Sequence, residues 1–160
     1  MLTPIAEQGI HELAFSKDLE IVAAVEVVFE TLLEQLGPRH EGGPEAPLPM
    51  KLEPWPGGRW YRDLGNNAGH FWGHVQVIKP PTLLEISGPL FMSYPAIAHL
   101  QYRLTAEGGV TRLKFTHKAI GLIPSDHRDA YAKGMEPFSH TLAKVREVAE
   151  RRKGAVGGSR

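Results

Sequence analysis

The sequence contains no cysteine among its 160 residues. Disulfide bonds, thiolate nucleophiles and cysteine-based zinc or iron–sulfur sites are therefore excluded. It also lacks an excess of either charge, because 18 Lys and Arg balance 18 Asp and Glu. Since no net field attracts polyanions, nucleic acid is not an expected partner.

Long apolar runs are missing too. No segment approaches the roughly 18 apolar residues of a membrane helix, and the first 16 residues lack the basic start and apolar core of a signal peptide. We therefore expect a cytoplasmic protein with no membrane partner. The length suits one domain, which we predict over residues 1–153, with a flexible tail over 154–160.

Two segments have the spacing of amphipathic helices. Over residues 24–36 and 135–149, apolar side chains recur every three or four positions. Gly37 and Pro38 end the first helix, and a shorter helix is predicted after Pro124, with Ser125 and Asp126 as candidate N-caps. The apolar positions are Val25, Val28, Phe29, Leu32, Leu33 and Leu36 in the first helix, and Met135, Phe138, Leu142, Val145 and Ala149 in the last.

Between these helices the apolar period changes to two, which is typical of strands. Strands are predicted near 50–53, 59–64, 70–77, 82–87, 99–104 and 112–117, after a first strand over 13–22. Short turns that contain Gly or Pro join the consecutive strands, which favours an antiparallel meander. The sequence therefore predicts an α+β fold, in which a curved antiparallel sheet of about six to seven strands wraps around a long C-terminal helix.

Four motifs in this order resemble the START-like helix-grip superfamily (SRPBCC), in particular its bacterial branch related to the activator of heat-shock-protein-90 ATPase homologues. They are AAVEVVFETLLEQLG at 23–37, EPWPGGRWYRD at 53–63, WGHVQVIKPPTLLEI at 72–86 and GGVTRLKFTHKAIG at 108–121. The resemblance implies a helix-grip fold with an apolar cavity between the sheet and the last helix. One departure is Met135 after Gly134, where the family often has Trp.

Strand parity and this resemblance together predict the walls of such a cavity. The sheet contributes the side chains predicted to point inward, and the last helix contributes its apolar stripe. The connector after Gly88 has aromatic residues that have to cover something. The resemblance favours a lid over the cavity mouth, and a cover over the core or a subunit interface is the alternative. The predicted ligand-binding residues are Phe71, Val75, Leu100, Tyr102, Leu113, Phe115 and His117 on the sheet, Met135, Phe138 and Leu142 on the helix, and Phe91, Met92 and Tyr94 in the lid.

His117 is the candidate polar anchor of this cavity, with Tyr102 beside it. An ordinary core histidine is the alternative interpretation. A metal site is not predicted, because His70 and His74 lie about 13 Å apart along one strand. The letters of a catalytic triad at Ser125, Asp126 and His127 are explained by a helix N-terminus.

Three functions remain open at this point. The leading hypothesis is a binding module for a small apolar or amphipathic molecule, with no cofactor and with a homodimer left open. The second is a cyclase or dehydratase that uses His117 and Tyr102 for proton transfer, although no catalytic residue is assigned. The third is a co-chaperone or a partner of a transcriptional regulator, which acts through its outer surface.

Overall fold

The computed structural model describes residues 1–134 and 138–158, with side chains as far as residue 153. Seven strands and three helices follow one another in the order predicted from the sequence. They are β1 (His11–Ile21), α1 (Val25–Leu36), β2 (Lys51–Leu52), β3 (Arg59–Gly65), β4 (Ala68–Lys79), β5 (Leu83–Gly88), β6 (Ala96–Glu107), β7 (Val110–Gly121), α2 (Ser125–Ala132) and α3 (Phe138–Gly158).

All seven strands form one antiparallel sheet in the order β1-β7-β6-β5-β4-β3-β2. Strands β2 to β7 are a meander, and β1 joins it beside β7, so that β1 and β2 are the two edges. The chain is therefore an α+β helix-grip protein, which confirms the predicted fold class. Within the described residues, no helix is both long and apolar enough to cross a membrane.

Helix α3 packs on the inner face of the sheet through the stripe that its spacing predicts. Phe138, Leu142, Val145 and Ala149 are at most 2% exposed and belong to the same core cluster as the sheet residues. The helix continues to Gly158, beyond the predicted domain end at residue 153. The flexibility predicted for residues 154–160 stays a prediction.

Helix α1 packs against α3 and belongs to the same core, with Val28, Leu32 and Leu36 fully buried. Its C-terminal end is anchored by Trp60 of β3, whose indole Nε1 donates a hydrogen bond to the carbonyl of Leu36 at 2.7 Å. The pair of helices is joined by Arg152 of α3, which donates to the Thr31 hydroxyl at 3.0 Å and to the Glu34 carboxylate.

Two bulges in β4 change which of its side chains point inward. Trp60 pairs with Gly73 while Tyr61 pairs with Phe71, so Trp72 is an extra residue, and Gln76 is a second one opposite β5. A bulge reverses the side-chain alternation of a strand. Trp72 is consequently 4% exposed and Phe71 is 40% exposed. The prediction that Phe71 points into the grip is wrong for this reason.

Candidate functional site

The side chains predicted to form the cavity walls do meet between the sheet and α3. Val75, Leu100, Tyr102, Leu113, Phe115 and Leu142 are each at most 1% exposed. The ring centroids of Tyr102 and Phe115 lie 5.0 Å apart, and those of Phe115 and Phe138 lie 6.0 Å apart. These residues therefore pack mainly on one another and build the core behind the site.

An open pocket lies at one end of the grip, beside the first residue of α3. It has a volume of about 230 Å³, and two of its walls, Phe91 and Phe138, are among the predicted ligand-binding residues. The other walls come from the loop between α1 and β2 and from the bulged residue of β4. The pocket is lined by His40, Glu41, Gly42, Leu48, Trp72, Phe91 and Phe138.

The loop over residues 37–50 holds its side of the pocket through backbone hydrogen bonds. The Leu48 amide donates to the His40 carbonyl at 2.9 Å, and the Met50 amide donates to the Gly37 carbonyl at 3.0 Å. The imidazole of His40 is 5% exposed and stands edge-on to the Trp72 ring, with centroids 5.6 Å apart. The loop is thus an ordered wall of the pocket, held by hydrogen bonds.

Phe91, in the connector between β5 and β6, forms one wall of the pocket, while the role of the connector as a lid stays a prediction. Phe91 lies edge-on to Trp72 at a centroid distance of 5.7 Å and contacts Phe138 at 6.1 Å. Met92 and Tyr94 are half-buried against the edge of the core. The hydroxyl of Tyr94 hydrogen-bonds Nδ1 of His127 in α2 at 2.8 Å, which ties the connector to that helix. Burial raises the pKa of Tyr94.

Glu41 is the acidic side chain at the pocket rim, with Lys144 and His140 near it and Arg62 near His40. Glu41 accepts a hydrogen bond from Nε2 of His140 in α3 at 2.8 Å, and this bond lowers the pKa of Glu41. Burial lowers the pKa of His40, so its ring is neutral at pH 7. Among the described residues, no Lys or Arg side chain lines the pocket.

Three polar side chains of the interior, His117, Tyr102 and Thr141, are buried. His117 lies next to Phe138 with ring centroids 5.6 Å apart, and Tyr102 is its diagonal neighbour across β6 and β7. Thr141 lies one turn after Phe138 on α3. Within the described part of the chain, the Tyr102 and Thr141 hydroxyls and both ring nitrogens of His117 are buried without a hydrogen-bond partner.

The protonation states of this group follow from its burial. Burial lowers the pKa of His117 to about 4 and raises the pKa of Tyr102 well above its ordinary range. At neutral pH the interior therefore holds a neutral imidazole, with one donor and one acceptor, and two neutral hydroxyl groups. Such groups can orient a polar substituent of an apolar ligand without adding charge.

Sequence reasoning missed His40, Leu48, Trp72 and Thr141. Regular strand alternation would put Trp72 on the outer face with His70 and His74, and no sequence signal locates the bulge, although a tryptophan on a solvated face is itself a warning. Leu48 could have been predicted as a partly buried residue, because it is apolar and lies in a loop rich in Pro and Gly. Met135, which was predicted for the helix side, lies outside the described residues.

The remaining histidines show no shared ligand geometry. His70 accepts a hydrogen bond from Trp72 Nε1 at 2.7 Å, whereas the His74 ring contacts that of Phe71 at 4.7 Å. No group of three or more His, Asp or Glu side chains within residues 1–134 and 138–153 is arranged to hold a metal ion.

Residues 23–147, more than three quarters of the chain, match the family described as Activator of Hsp90 ATPase homolog 1-like protein. A comparison with curated proteins found no match.

Solved structures share the fold at low sequence identity. A putative uncharacterized protein from Rhizobium leguminosarum is 18% identical, with 91% of this chain and 99% of that chain covered and a TM-score of 0.69. CalU16 from Micromonospora echinospora is 17% identical, with 88% and 81% covered and a TM-score of 0.57. The di-domain ARO/CYC StfQ from the steffimycin biosynthetic pathway is 13% identical, with 89% and 52% covered and a TM-score of 0.64. At these identities the likeness is one of fold.

Proposed function

The chain belongs to the family of Activator of Hsp90 ATPase homolog 1-like proteins, and on that premise we propose that it is a START-like module that binds a small, neutral, mainly apolar molecule. One observation carries the proposal. An apolar pocket of about 230 Å³ opens beside Trp72, Phe91 and Phe138, and buried polar atoms without partners lie behind Phe138.

The size of the pocket limits the ligand. Pockets for drug-sized molecules measure roughly 300–1,000 Å³, and this one is smaller. A ligand of one or two rings, or a short acyl chain, fits this limit. Stacking on Trp72 and Phe91 favours a ring, because aromatic pairs add about 0.5–1.5 kcal/mol beyond the buried area.

The charges near the pocket select a neutral ligand. A carboxylate would meet Glu41 at the rim and no lining Lys or Arg within the described residues. His40 is the histidine that lines the pocket, and because burial lowers its pKa its ring is neutral at pH 7. A hydroxyl or carbonyl group, in contrast, can exchange hydrogen bonds with the neutral imidazole of His40, which lines the pocket.

The experiment is a calorimetric titration with 1-naphthol and, as its anionic match, 1-naphthoate. We expect the wild-type protein to bind 1-naphthol at least about tenfold more tightly than 1-naphthoate, a difference of about 1.4 kcal/mol. Leu48→Trp fills the pocket and is expected to abolish binding. The control is Leu64→Trp, since Leu64 is 58% exposed near the end of β3.

Binding of 1-naphthol that Leu48→Trp leaves intact would place the ligand elsewhere and contradict the proposal. So would tighter binding of the anionic probe. Native mass spectrometry of gently purified protein identifies a co-purifying molecule and tests the same assignment with the natural ligand.

Catalysis of the cyclase or dehydratase type is the second candidate, because His117 and Tyr102 are neighbours with unpartnered polar atoms. It ranks lower for a physical reason. A general acid or base works best when its pKa lies near the working pH, and burial moves the pKa of His117 down to about 4 and that of Tyr102 upwards. His117→Gln, which preserves hydrogen bonding, should abolish such an activity but retain ligand binding.

A co-chaperone role rests on the family's description alone. A pull-down that recovers a stoichiometric protein partner, with a protein that binds neither probe, would favour that function over the binding module.

A further inference from the structure

The outer face of the sheet, opposite α3, has a groove of about 390 Å³ across β1, β7 and β6. Its apolar centre is formed by Ile97 of β6 and Ile120 of β7, which pair directly in register and are 57% and 46% exposed. Adjacent isoleucines on a solvated sheet leave apolar area in water, and burial against a partner would remove that area from water. We call this surface the outer groove.

The residues before β1 also expose apolar side chains. All ten residues 1–10 are exposed, and Leu2, Ile5 and Ile10 are 96%, 88% and 71% exposed. Their side chains are therefore almost entirely in solvent. We call residues 1–10 the N-terminal arm.

The arm leaves the fold at the edge of the outer groove. Glu12 lines the groove and is the register partner of Ile120. Ile10 is two residues earlier, and side chains two positions apart share a face of a strand. The arm nevertheless does not cover the groove, since the apolar side chains of the arm and those of the groove are all exposed. A fold-back onto its own groove would require the chain to reverse direction at its entry into β1.

We propose that two copies of this chain form a two-fold dimer in which the N-terminal arm of each copy lies in the outer groove of the other. A two-fold axis makes the exchange reciprocal, so that one contact type covers both exposed surfaces of both copies. Because each arm starts at its own groove, two copies that face each other groove to groove need to exchange only a short segment.

Charge and size agree with this occupant. Glu7 is the charged side chain of the arm, and Lys118 is the basic side chain in the groove lining, which also includes Glu12. Pro4 restricts the backbone of the arm and favours an extended course. The arm and the residues that line the groove together approach the roughly 20–30 residues per partner of a standard interface.

The test is sedimentation equilibrium of the full chain between about 1 and 200 µM, a range that resolves micromolar dissociation constants. We expect a monomer–dimer equilibrium for the wild type. The arm variant Leu2→Ser/Ile5→Ser and the groove variant Ile120→Lys should each raise the dissociation constant at least about tenfold. Leu64→Ser, another exposed apolar residue, is the matched control and should leave the equilibrium unchanged.

Mixing the two variants tests the exchange directly. In an equimolar mixture, the intact groove of the arm variant receives the intact arm of the groove variant, so mixed dimers should form more tightly than dimers of either variant alone. A wild type that stays monomeric would overturn the proposal, as would a dimer that both variants leave intact or a mixture no tighter than its components. Circular dichroism and thermal unfolding of each dilute variant confirm that it is folded.

Discussion

At the scale of single residues, the mainly apolar interior contains a few buried polar side chains. Strand parity correctly predicts that Tyr102 and His117 point inward, and they are 0% and 2% exposed. Parity carries no information about partners, however. That both side chains lie buried with unpartnered atoms is a property of the packed neighbours, in particular of Phe115 and Phe138, whose rings offer no hydrogen-bond acceptor of ordinary strength.

The first prediction concerns the Tyr102 hydroxyl. A buried polar group without a partner costs about 1–3 kcal/mol, so removing it should help the ligand-free protein. We expect Tyr102→Phe to raise the free energy of unfolding by about 1 kcal/mol, measured by urea denaturation.

Tyr94→Phe is the matched control, because the Tyr94 hydroxyl hydrogen-bonds His127 at 2.8 Å. Its removal should lower the free energy of unfolding by about 1 kcal/mol. If both variants lost stability equally, the Tyr102 hydroxyl would have a partner after all.

At the scale of elements, the shape of β4 decides where the pocket forms. Its first bulge turns Trp72 inward, and the neighbouring strand approaches closely at the same point. A Cβ on Gly88 of β5 would lie 2.4 Å from both the Trp72 carbonyl oxygen and the Gly73 Cα. Glycine is required there for the close approach of two backbones, and this approach sets the depth of Trp72.

The second prediction therefore concerns Gly88→Ala. The added methyl group forces β4 and β5 apart, and such overpacking typically costs about 1–3 kcal/mol. We expect a loss of this size in urea denaturation, together with a shift of the Trp72 indole resonance in NMR spectra, since its wall of the pocket moves.

Gly43→Ala provides the comparison, because a Cβ at Gly43 meets nothing within 4 Å. This substitution should leave stability unchanged or raise it by up to about 1 kcal/mol, through the unfolded state. Equal free energies of unfolding for the two variants would mean that β4 and β5 accommodate the added methyl group without strain.

At the scale of the whole molecule, charge is balanced, with 18 basic and 18 acidic side chains. Net charge repulsion is therefore small near neutral pH, and buried titratable groups govern the pH dependence of stability. His117 is the clearest of these, since burial lowers its pKa to about 4.

The third prediction is the resulting acid sensitivity. Between its unfolded pKa of about 6.5 and its folded pKa of about 4, His117 binds a proton only in the unfolded state. Stability consequently falls as the pH drops from about 6.5 to 4, by about 3 kcal/mol from this one group. The free energy of unfolding of wild type and His117→Leu, measured over this range, should show a shallower slope for the variant. Parallel slopes would show that His117 is not buried in its neutral form.

The comparison of prediction with structure separates local from non-local information. Apolar periods of 3.6 and 2 residues correctly predicted α1, α3 and the strands, because an element that buries one face repeats apolar residues at that spacing. The β6–β7 hairpin is the best case, with Leu100, Tyr102, Leu113, Phe115 and His117 all inward as predicted. Phe71 failed because the bulge at Trp72 is set by how β3 and β4 pair.

The sequence by itself thus determined the fold class and the inward faces of the regular strands and helices. These follow from the local pattern of apolar residues, because only one face of each helix or strand can be buried so that its apolar side chains are removed from water. Tertiary structure alone decided that the predicted walls pack into a core, that the open pocket is bounded by His40, Leu48 and Trp72, and that the polar atoms of His117, Tyr102 and Thr141 lack partners among the described residues. The reason is physical: contacts between a bulged strand, a loop and a helix terminus depend on distances that no repeat along the chain encodes.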